Sequence, residues 1–268
     1  MTEPNPAFTG IDTSTPNVAR IYDYLLGGKD NFTADRAAAD QLIEAIPDVA
    51  GIARDNRSFL GRAVRYLTAE AGIRQYLDLG SGLPTQANVH ELALDVAADV
   101  RVVYVDNDQV VASHGRAMLA FGDQVAMVFG DLRDPGAILS DPEVTGLLDL
   151  SQPVAVLCTS TLHFIGDEAE PHRVIAAYRD RLASGSYLVI THGTRESDPD
   201  GQGEAAAGIY RQASSQLHTR SLPDVARFFD GFELVEPGLT WITQWHPEPG
   251  TEPIGRLHSL RGAVGRKP

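Results

Sequence analysis

The chain has 268 residues, of which 43% are hydrophobic, and a formal net charge of −14 at pH 7. This length is sufficient for one large α/β domain with a full core. Because a surface this acidic repels phosphate backbones and anionic lipid headgroups, we expect neither a nucleic-acid partner nor a membrane partner.

Cysteine usage and the N-terminus indicate the cellular location. Cys158 is the one cysteine, which excludes an internal disulfide and is typical of a reducing compartment. The first residues lack the basic and apolar segments of a secretion signal, and no stretch approaches the roughly 20 apolar residues of a membrane span. We therefore expect a cytoplasmic protein.

Residues 1–72 predict a tail followed by a helical cap. Residues 1–15 are rich in Pro and Thr without periodicity, which is typical of a mobile tail. Apolar residues at helical spacing predict a helix that begins at Pro16, and two more that span residues 35–46 and 54–71. Because these helices precede the first strand, residues 16–72 are expected to cover the sheet that follows.

The segment after the first helix, Gly27-Gly28-Lys29-Asp30-Asn31, allows two interpretations. It is either a helix end followed by a solvated turn, or part of a lid over a ligand. We favour the lid, because a cation, an anion and an amide in succession bind ligands well and pack poorly. The residues expected to form this lid and to line a substrate pocket are Tyr22, Tyr24, Lys29 and Asn31.

Strands alternate with helices in the middle of the chain. Strands are predicted at residues 75–79, 101–105, 125–129, 154–158 and 186–191, with helices at 85–98, 109–121 and 171–182. These strands are nearly continuously apolar, which favours a parallel sheet covered on both faces. In such a sheet, ligands bind at the carboxyl ends of the strands.

The residues at those ends describe a site for adenosine. The first strand ends in Asp78 and a turn in which Gly80 and Gly82 let a ligand approach the backbone. Asp106, after the second strand, offers two acceptor oxygens at the spacing of a ribose diol, and Asp131, after the third, can accept from an exocyclic amine. Further residues at these strand ends are Ser81, Asn107, Leu132, Ser160, His163 and His192.

The sequence of the glycine turn distinguishes between two classes of cofactor that contain adenosine. A dinucleotide site requires a third glycine where Thr85 stands, and an acid closer to the turn than Asp106. Asp78 would repel a phosphate but suits a cationic group. S-adenosylmethionine carries a sulfonium and an ammonium, so the residues favour it over NAD.

Further motifs are distributed over nearly the whole chain. They are Tyr22-Asp23-Tyr24-Leu25-Leu26-Gly27-Gly28-Lys29-Asp30-Asn31-Phe32, Asp78-Leu79-Gly80-Ser81-Gly82-Leu83-Pro84, Tyr104-Val105-Asp106-Asn107-Asp108, Asp131-Leu132-Arg133-Asp134-Pro135, Leu162-His163-Phe164-Ile165 and Val264-Gly265-Arg266-Lys267-Pro268. Together they resemble an actinobacterial family of S-adenosylmethionine-dependent methyltransferases of unassigned substrate, within the class I methyltransferase superfamily.

The resemblance implies a fold and a set of cofactor contacts. The fold is a single Rossmann-like α/β domain, residues 1–268, with a helical cap and a core over residues 73–268. Its seven-stranded, mostly parallel sheet would have an antiparallel edge at residues 232–236 and 263–267, and an insertion around residues 237–260. A helix over residues 204–218 is expected to precede this edge. The residues implied to bind S-adenosylmethionine are Gly80, Ser81 and Gly82 beneath the methionine part, Asp78 at its ammonium, Asp106 at the ribose, and Asn107, Asp131, Leu132 and Ser160.

Two histidines are candidates for a catalytic base. His163 and His192 follow the fourth and fifth strands, where an acceptor would enter, and a neutral imidazole can accept a proton near neutral pH. The other histidines show no ligand spacing, so we expect no metal site. We favour a methyltransferase for a small-molecule acceptor; the alternative is a catalytically silent S-adenosylmethionine-binding sensor or partner-binding protein.

Overall fold

A computed structural model describes residues 12–84, 87–118, 123–197, 201–248, 250 and 260–268. Most of the predicted tail, residues 1–11, lies outside these ranges. The described residues form one sheet of eight strands in the order β3-β2-β1-β4-β5-β8-β6, with β7 paired to β8. The strands are β1 Gln75–Leu79, β2 Arg101–Asp106, β3 Val125–Phe129, β4 Ala155–Thr159, β5 Tyr187–His192, β6 Glu233–Leu234, β7 Thr240–Trp241 and β8 Arg261–Arg266.

Ten α-helices surround this sheet in the described part of the chain. They are α1 Val18–Leu25, α2 Thr33–Ala45, α3 Val49–Ala69, α4 Val89–Leu94, α5 Gln109–Met118, α6 Pro135–Ser140, α7 Pro142–Leu147, α8 Pro171–Arg181, α9 Gln202–Tyr210 and α10 Leu222–Ala226. No helix among the described residues has the length and apolar character needed to cross a membrane.

The strand directions confirm the predicted sheet class. β1 to β5 are parallel to their neighbours, whereas β8 runs antiparallel to β5, β6 and β7. The predicted count of seven strands is wrong by one. The additional strand is the two-residue β7, which lies inside the expected insertion and pairs with β8.

Alternation along the strands gives each face of the sheet its own core. Tyr76 and Val102 pack on one face with the buried side of α3, while Leu77 and Val103 pack on the other face with α6, α8 and α10. All five residues of β1 are buried. Because both faces are covered, ligand access is left to the edge at which the parallel strands end.

The cap consists of α1, α2 and the first turns of α3, together with α9 from much later in the chain. A separate cluster joins them, in which Ile21, Ala39 and Leu42 are almost fully buried and Ala206 comes from α9. The buried Arg20 guanidinium donates to the Asp35 carboxylate over 2.9 Å, which fixes α1 on α2. The cap is therefore a packed layer rather than a loose flap.

Three predicted helices have different bounds in the structure. α3 begins at Val49 rather than at residue 54, and α4 is restricted to six residues that begin after the Asn88 cap, with residues 85–86 outside the described ranges. α9 ends at Tyr210, although the sequence predicts a helix to residue 218. It ends because the Ser214 backbone N–H donates to the Pro16 carbonyl, which ties this segment to α1. Helices α6 and α7 were not predicted.

The double glycine after α1 forms a turn around a buried carboxylate. Asp23 accepts hydrogen bonds from the Asp30 backbone N–H at 3.0 Å and from Asn31 Nδ2 at 2.8 Å. A Cβ added to Gly28 would lie 1.9 Å from Asp23 Oδ1. The turn therefore depends on glycine at position 28, and it is held by the hydrogen bonds of the Asp30 backbone and the Asn31 side chain to Asp23.

We predict that Gly28→Ala lowers the free energy of unfolding by about 1–3 kcal/mol, since the new methyl group displaces a carboxylate that holds two hydrogen bonds. Urea denaturation measures the change. Gly146→Ala is the control, because Gly146 is exposed in α7 and a Cβ there meets nothing within 4 Å. Equal stability of Gly28→Ala and the parent chain would contradict this description of the turn.

Candidate functional site

A cavity of about 550 Å³ lies between the carboxyl ends of the parallel strands and the helical cap. This volume lies within the range of about 300–1,000 Å³ that is usual for small-molecule sites. One wall comes from the segments that follow β1 to β4, and the other comes from α1, α2, α3 and α9. Most of the residues predicted from strand ends lie on the first wall: Gly80, Ser81, Gly82, Asp106, Asn107, Asp131, Leu132, Ser160 and His163.

The glycine turn forms the floor of the cavity. Gly80 and Gly82 have φ angles of 71° and 69°, which glycine adopts without strain. A Cβ on Gly80 would lie 2.3 Å from the Thr161 side chain, so the turn also requires glycine for packing against the end of β4. At Gly82 a Cβ would meet no atom within 4 Å, which leaves this backbone open to a ligand.

Asp106 joins the floor to the end of β2. Its carboxylate accepts from the Gly82 backbone N–H and from the Asp108 backbone N–H, both at 2.9 Å. Burial raises the pKa of Asp106 to about 6, although these hydrogen bonds oppose that shift. Each carboxylate oxygen retains a further acceptor site that could receive a ligand hydroxyl.

Asp131 has a partner within its own turn. Arg133 donates to both carboxylate oxygens, from Nε at 2.9 and 3.0 Å and also from its terminal nitrogen. This pairing holds the pKa of Asp131 below its ordinary value. Arg133 therefore occupies part of the carboxylate that was expected to accept a hydrogen bond from an exocyclic amine.

Asp78 does not lie on the wall of the main cavity. It lines a much smaller space of about 10 Å³ behind the glycine turn, which shares Arg57, Ser81 and Gly82 with the main cavity. Burial raises the pKa of Asp78 to about 7. The structure thus brings Asp106 and Asp131 to one cavity and places the third predicted acid one layer beneath.

The two candidate bases lie in different environments. His163 lines the cavity, and its buried Nδ1 has no hydrogen-bond partner among the described residues. Burial, reinforced by the neighbouring His192 and Arg220, lowers the pKa of His163 well below its ordinary value, so the ring is neutral.

His192 does not reach the cavity. Its Nδ1–H donates to the Gly193 carbonyl over 2.7 Å, and its Nε2 accepts from the Arg220 guanidinium over 3.0 Å. Arg220 also donates to the carbonyls of Leu162 and Ile165, which flank His163. The prediction of a catalytic His192 is therefore corrected, because both ring nitrogens are occupied. Arg220 holds the loop that carries His163.

Of the four expected lid residues, one lines the cavity. Tyr22 does so, and its hydroxyl donates to the Ala53 carbonyl and accepts from Asn56 Nδ2, each over 3.0 Å. Tyr24 donates to Asp40 on the outer side of the cap, and Lys29 is exposed. Asn31 is part of the turn around Asp23. The lid interpretation of this turn is thus incorrect, because Asn31 is bound to Asp23 and neither Asn31 nor Lys29 lines the cavity.

Several residues of the cavity were missed by the sequence analysis. Arg57 lines both cavities, and its guanidinium donates to the Ala87 carbonyl over 2.7 Å. Asn56 joins the cap to the sheet, since Asn56 Oδ1 accepts from Thr191 and Thr191 Oγ1 accepts from the Ser160 backbone N–H. The signal for Asn56 was available: a polar residue on the apolar side of α3.

Comparisons with known proteins agree with this geometry. Residues 4–268 match the model of a family described as S-adenosyl methyltransferase. The chain belongs to this family. It is an S-adenosylmethionine-dependent methyltransferase.

Solved structures similar to the methyltransferase include two actinobacterial proteins. A DUF574 family protein from Streptomyces avermitilis is 40% identical with a TM-score of 0.91, over 96% of this chain and 99% of that chain. A candidate methyltransferase from Thermobifida fusca is 43% identical with a TM-score of 0.91, over 100% of this chain and 99% of that chain. A comparison with curated proteins finds no match.

A more distant structure shares the fold alone. Human N-acetylserotonin methyltransferase, solved in complex with S-adenosylmethionine, is 14% identical with a TM-score of 0.51 over 94% of this chain and 63% of that chain. The expected class I methyltransferase fold is therefore confirmed.

The strand-end wall of the methyltransferase fits S-adenosylmethionine. The wall carries the carboxylates of Asp106, Asp108 and Asp131 against the guanidinium groups of Arg57 and Arg133, so its balance favours a cationic ligand. The open backbone at Gly82 permits close approach of a chain.

We predict that Asp78 and Asp106 make a contribution to the stability of the methyltransferase without ligand that is lost as pH rises from about 4 to about 7. Their pKa values are raised to about 7 and about 6, so the folded chain binds protons at these two groups that the unfolded chain has released. His163 and His192 contribute in the opposite direction, because burial lowers their pKa values. In urea denaturation, Asp78→Asn should therefore shift the slope of stability against pH towards more positive values. The exposed Asp95→Asn is the control, and an unchanged slope in Asp78→Asn would contradict the buried position of Asp78.

Proposed function

We propose that the methyltransferase binds S-adenosylmethionine along the strand-end wall and a small-molecule acceptor against the cap. The observation that carries this proposal is a cavity of about 550 Å³ in which a polar wall meets an apolar wall beside His163. Such a space can exclude water and hold two reactants in contact, which supplies much of the acceleration of a displacement reaction.

Each cofactor contact follows from the position of a backbone turn or a side chain at the strand ends. Gly80, Ser81 and Gly82 provide the surface beneath the methionine part, and Asp106 accepts from the ribose hydroxyls. Asn107, Asp131 and Leu132 surround the adenine, and Ser160 lies at the end of β4 beside them. Asp78, behind the glycine turn, acts on the ammonium group through water or through the field of its charge.

His163 is the group suited to hold a proton during the reaction. When bound, S-adenosylmethionine supplies the methyl group of its sulfonium, and the sulfur keeps the electron pair of the broken carbon–sulfur bond. Burial keeps the His163 imidazole neutral and makes it a weak base. It can accept the acceptor's proton once methyl transfer has left the acceptor atom positively charged and therefore strongly acidic. The described residues offer no feature that favours the sensor alternative.

The proposal extends to the organisation and location of the protein. We treat the chain as one methyltransferase domain, because cap and sheet enclose the same cavity. The single cysteine and the net charge of −14 support a cytoplasmic enzyme with a small-molecule acceptor rather than nucleic acid.

We predict that Asp106→Asn weakens S-adenosylmethionine binding by about ten- to a hundredfold, since a hydrogen bond to a charged group contributes about 1.5–3 kcal/mol. Isothermal titration calorimetry measures the affinity, and transfer of a labelled methyl group to components of a metabolite extract measures the activity. Both should fall together.

Asp99→Asn is the matched control, because Asp99 is exposed beside Arg74 at the opposite end of β2 and should leave affinity and transfer unchanged. Equal affinity of Asp106→Asn and the parent enzyme would contradict the cofactor placement. Tight binding without any labelled product would favour the sensor alternative.

A further inference from the structure

The charged side chains that line the cavity are concentrated at the ends of β2 and β3. The charged side chains that line it are Arg57, Asp106, Asp108, Asp131 and Arg133. Four of them lie at the ends of β2 and β3, and the fifth, Arg57 of α3, reaches the Ala87 carbonyl beside the glycine turn. Among the described residues, α1, α2, α9 and the part of α3 before Arg57 contribute no charged side chain to the lining.

The cap wall is built from aliphatic and aromatic side chains. The larger aliphatic residues on it are Leu25, Leu42, Ile46, Val49, Ile52 and Leu217. Tyr22 and Tyr210 add aromatic surface. The ring of Tyr210 also meets the ring of Phe164, which comes from the segment after β4, edge to face at 5.1 Å between centroids. This surface matches an acceptor that is largely apolar and in part aromatic.

Polar groups on the cap wall are mostly paired with the protein itself. Tyr22 and Asn56 hydrogen-bond to each other, and the Asn17 side chain accepts from the backbone N–H of Ala19 over 2.8 Å. The Ser214 hydroxyl accepts from the Val18 backbone N–H over 3.3 Å. A charged acceptor would lose hydration here without gaining a partner, which is costly.

His163 stands where the two walls meet. The side chain is 6% exposed, lines the cavity beside Phe164, and leaves Nδ1 without a partner among the described residues. A buried, unpartnered ring nitrogen costs free energy that a hydrogen bond from a ligand can recover after a ring rotation. One polar group of the acceptor is therefore expected at this position.

We propose that the methyl acceptor is an uncharged, largely apolar small molecule, aromatic in part, with one O–H or N–H that faces His163. This inference rests on the proposed function. The acceptor oxygen or nitrogen forms the bond to the methyl carbon, and the carbon–sulfur bond breaks with its electron pair retained by sulfur. The methylated acceptor atom is then positively charged and strongly acidic, and its proton passes to the His163 imidazole.

Three probes of similar size test the acceptor class. The enzyme saturated with S-adenosylhomocysteine is titrated with 2-naphthol, 2-naphthoate and 2-naphthylmethylammonium, and binding is followed by calorimetry and by naphthyl fluorescence. We expect 2-naphthol to bind at least about tenfold more tightly than either ion, because only the neutral probe avoids the cost of losing hydration.

A pair of variants places the probe on the cap wall. Ile52 is half-buried and lines the cavity, whereas Ile43 is 37% exposed on α2 and does not line it. Ile52→Asp should weaken 2-naphthol binding about tenfold or more, and leave the affinity for S-adenosylhomocysteine unchanged. Ile43→Asp, the matched control, should change neither affinity.

The outcomes separate this inference from the function on which it rests. Failure of S-adenosylhomocysteine to bind would overturn the proposed function itself. If that ligand binds, the acceptor class is overturned when either ion binds as tightly as 2-naphthol, when no probe binds, or when Ile52→Asp and Ile43→Asp behave alike.

Discussion

The hydrogen bond from the Gly82 backbone to the Asp106 carboxylate, 2.9 Å long, fixes the position of the glycine turn against the end of β2. The bond is partly buried, and the same carboxylate also holds the Asp108 backbone. Since β1 and β2 are neighbours in the sheet, this one carboxylate sets the floor of the cavity. The acids at the other strand ends are arranged around it.

The helical cap depends on a buried charge, the guanidinium of Arg20. Arg20 donates to Asp35 and, from its terminal nitrogen, to the carbonyls of Asp12 and Thr15, and it lies 3.8 Å from Asp108. An arginine buried this deeply is stable only when its partners are complete, because an unpaired buried charge costs several kcal/mol. The pairing holds α1 and α2 together over the end of β2, so the cap keeps an apolar wall opposite a charged one.

The sequence predicted those parts of the fold and site that follow from local patterns. Apolar strands, the glycine turn and the acid at the end of β2 are each determined by a few neighbouring residues, and the structure places Asp106 and His163 at one cavity. Long-range pairing could not be read in this way. Nothing near His192 in the chain shows that Arg220, 28 residues later, occupies its Nε2. Likewise, the polar turn after α1 gives no local sign that Asp23 is its centre.

The account divides the cavity between two ligands, with the cofactor on the strand-end wall and the acceptor on the cap wall. A crystal structure of the enzyme with S-adenosylhomocysteine tests this division most directly. We expect the ribose hydroxyls on Asp106, the adenine beside Leu132, and the sulfur facing the space between His163 and the cap. A nucleoside buried among Leu42, Ile46 and Ile52, without contact to Asp106, would contradict the account.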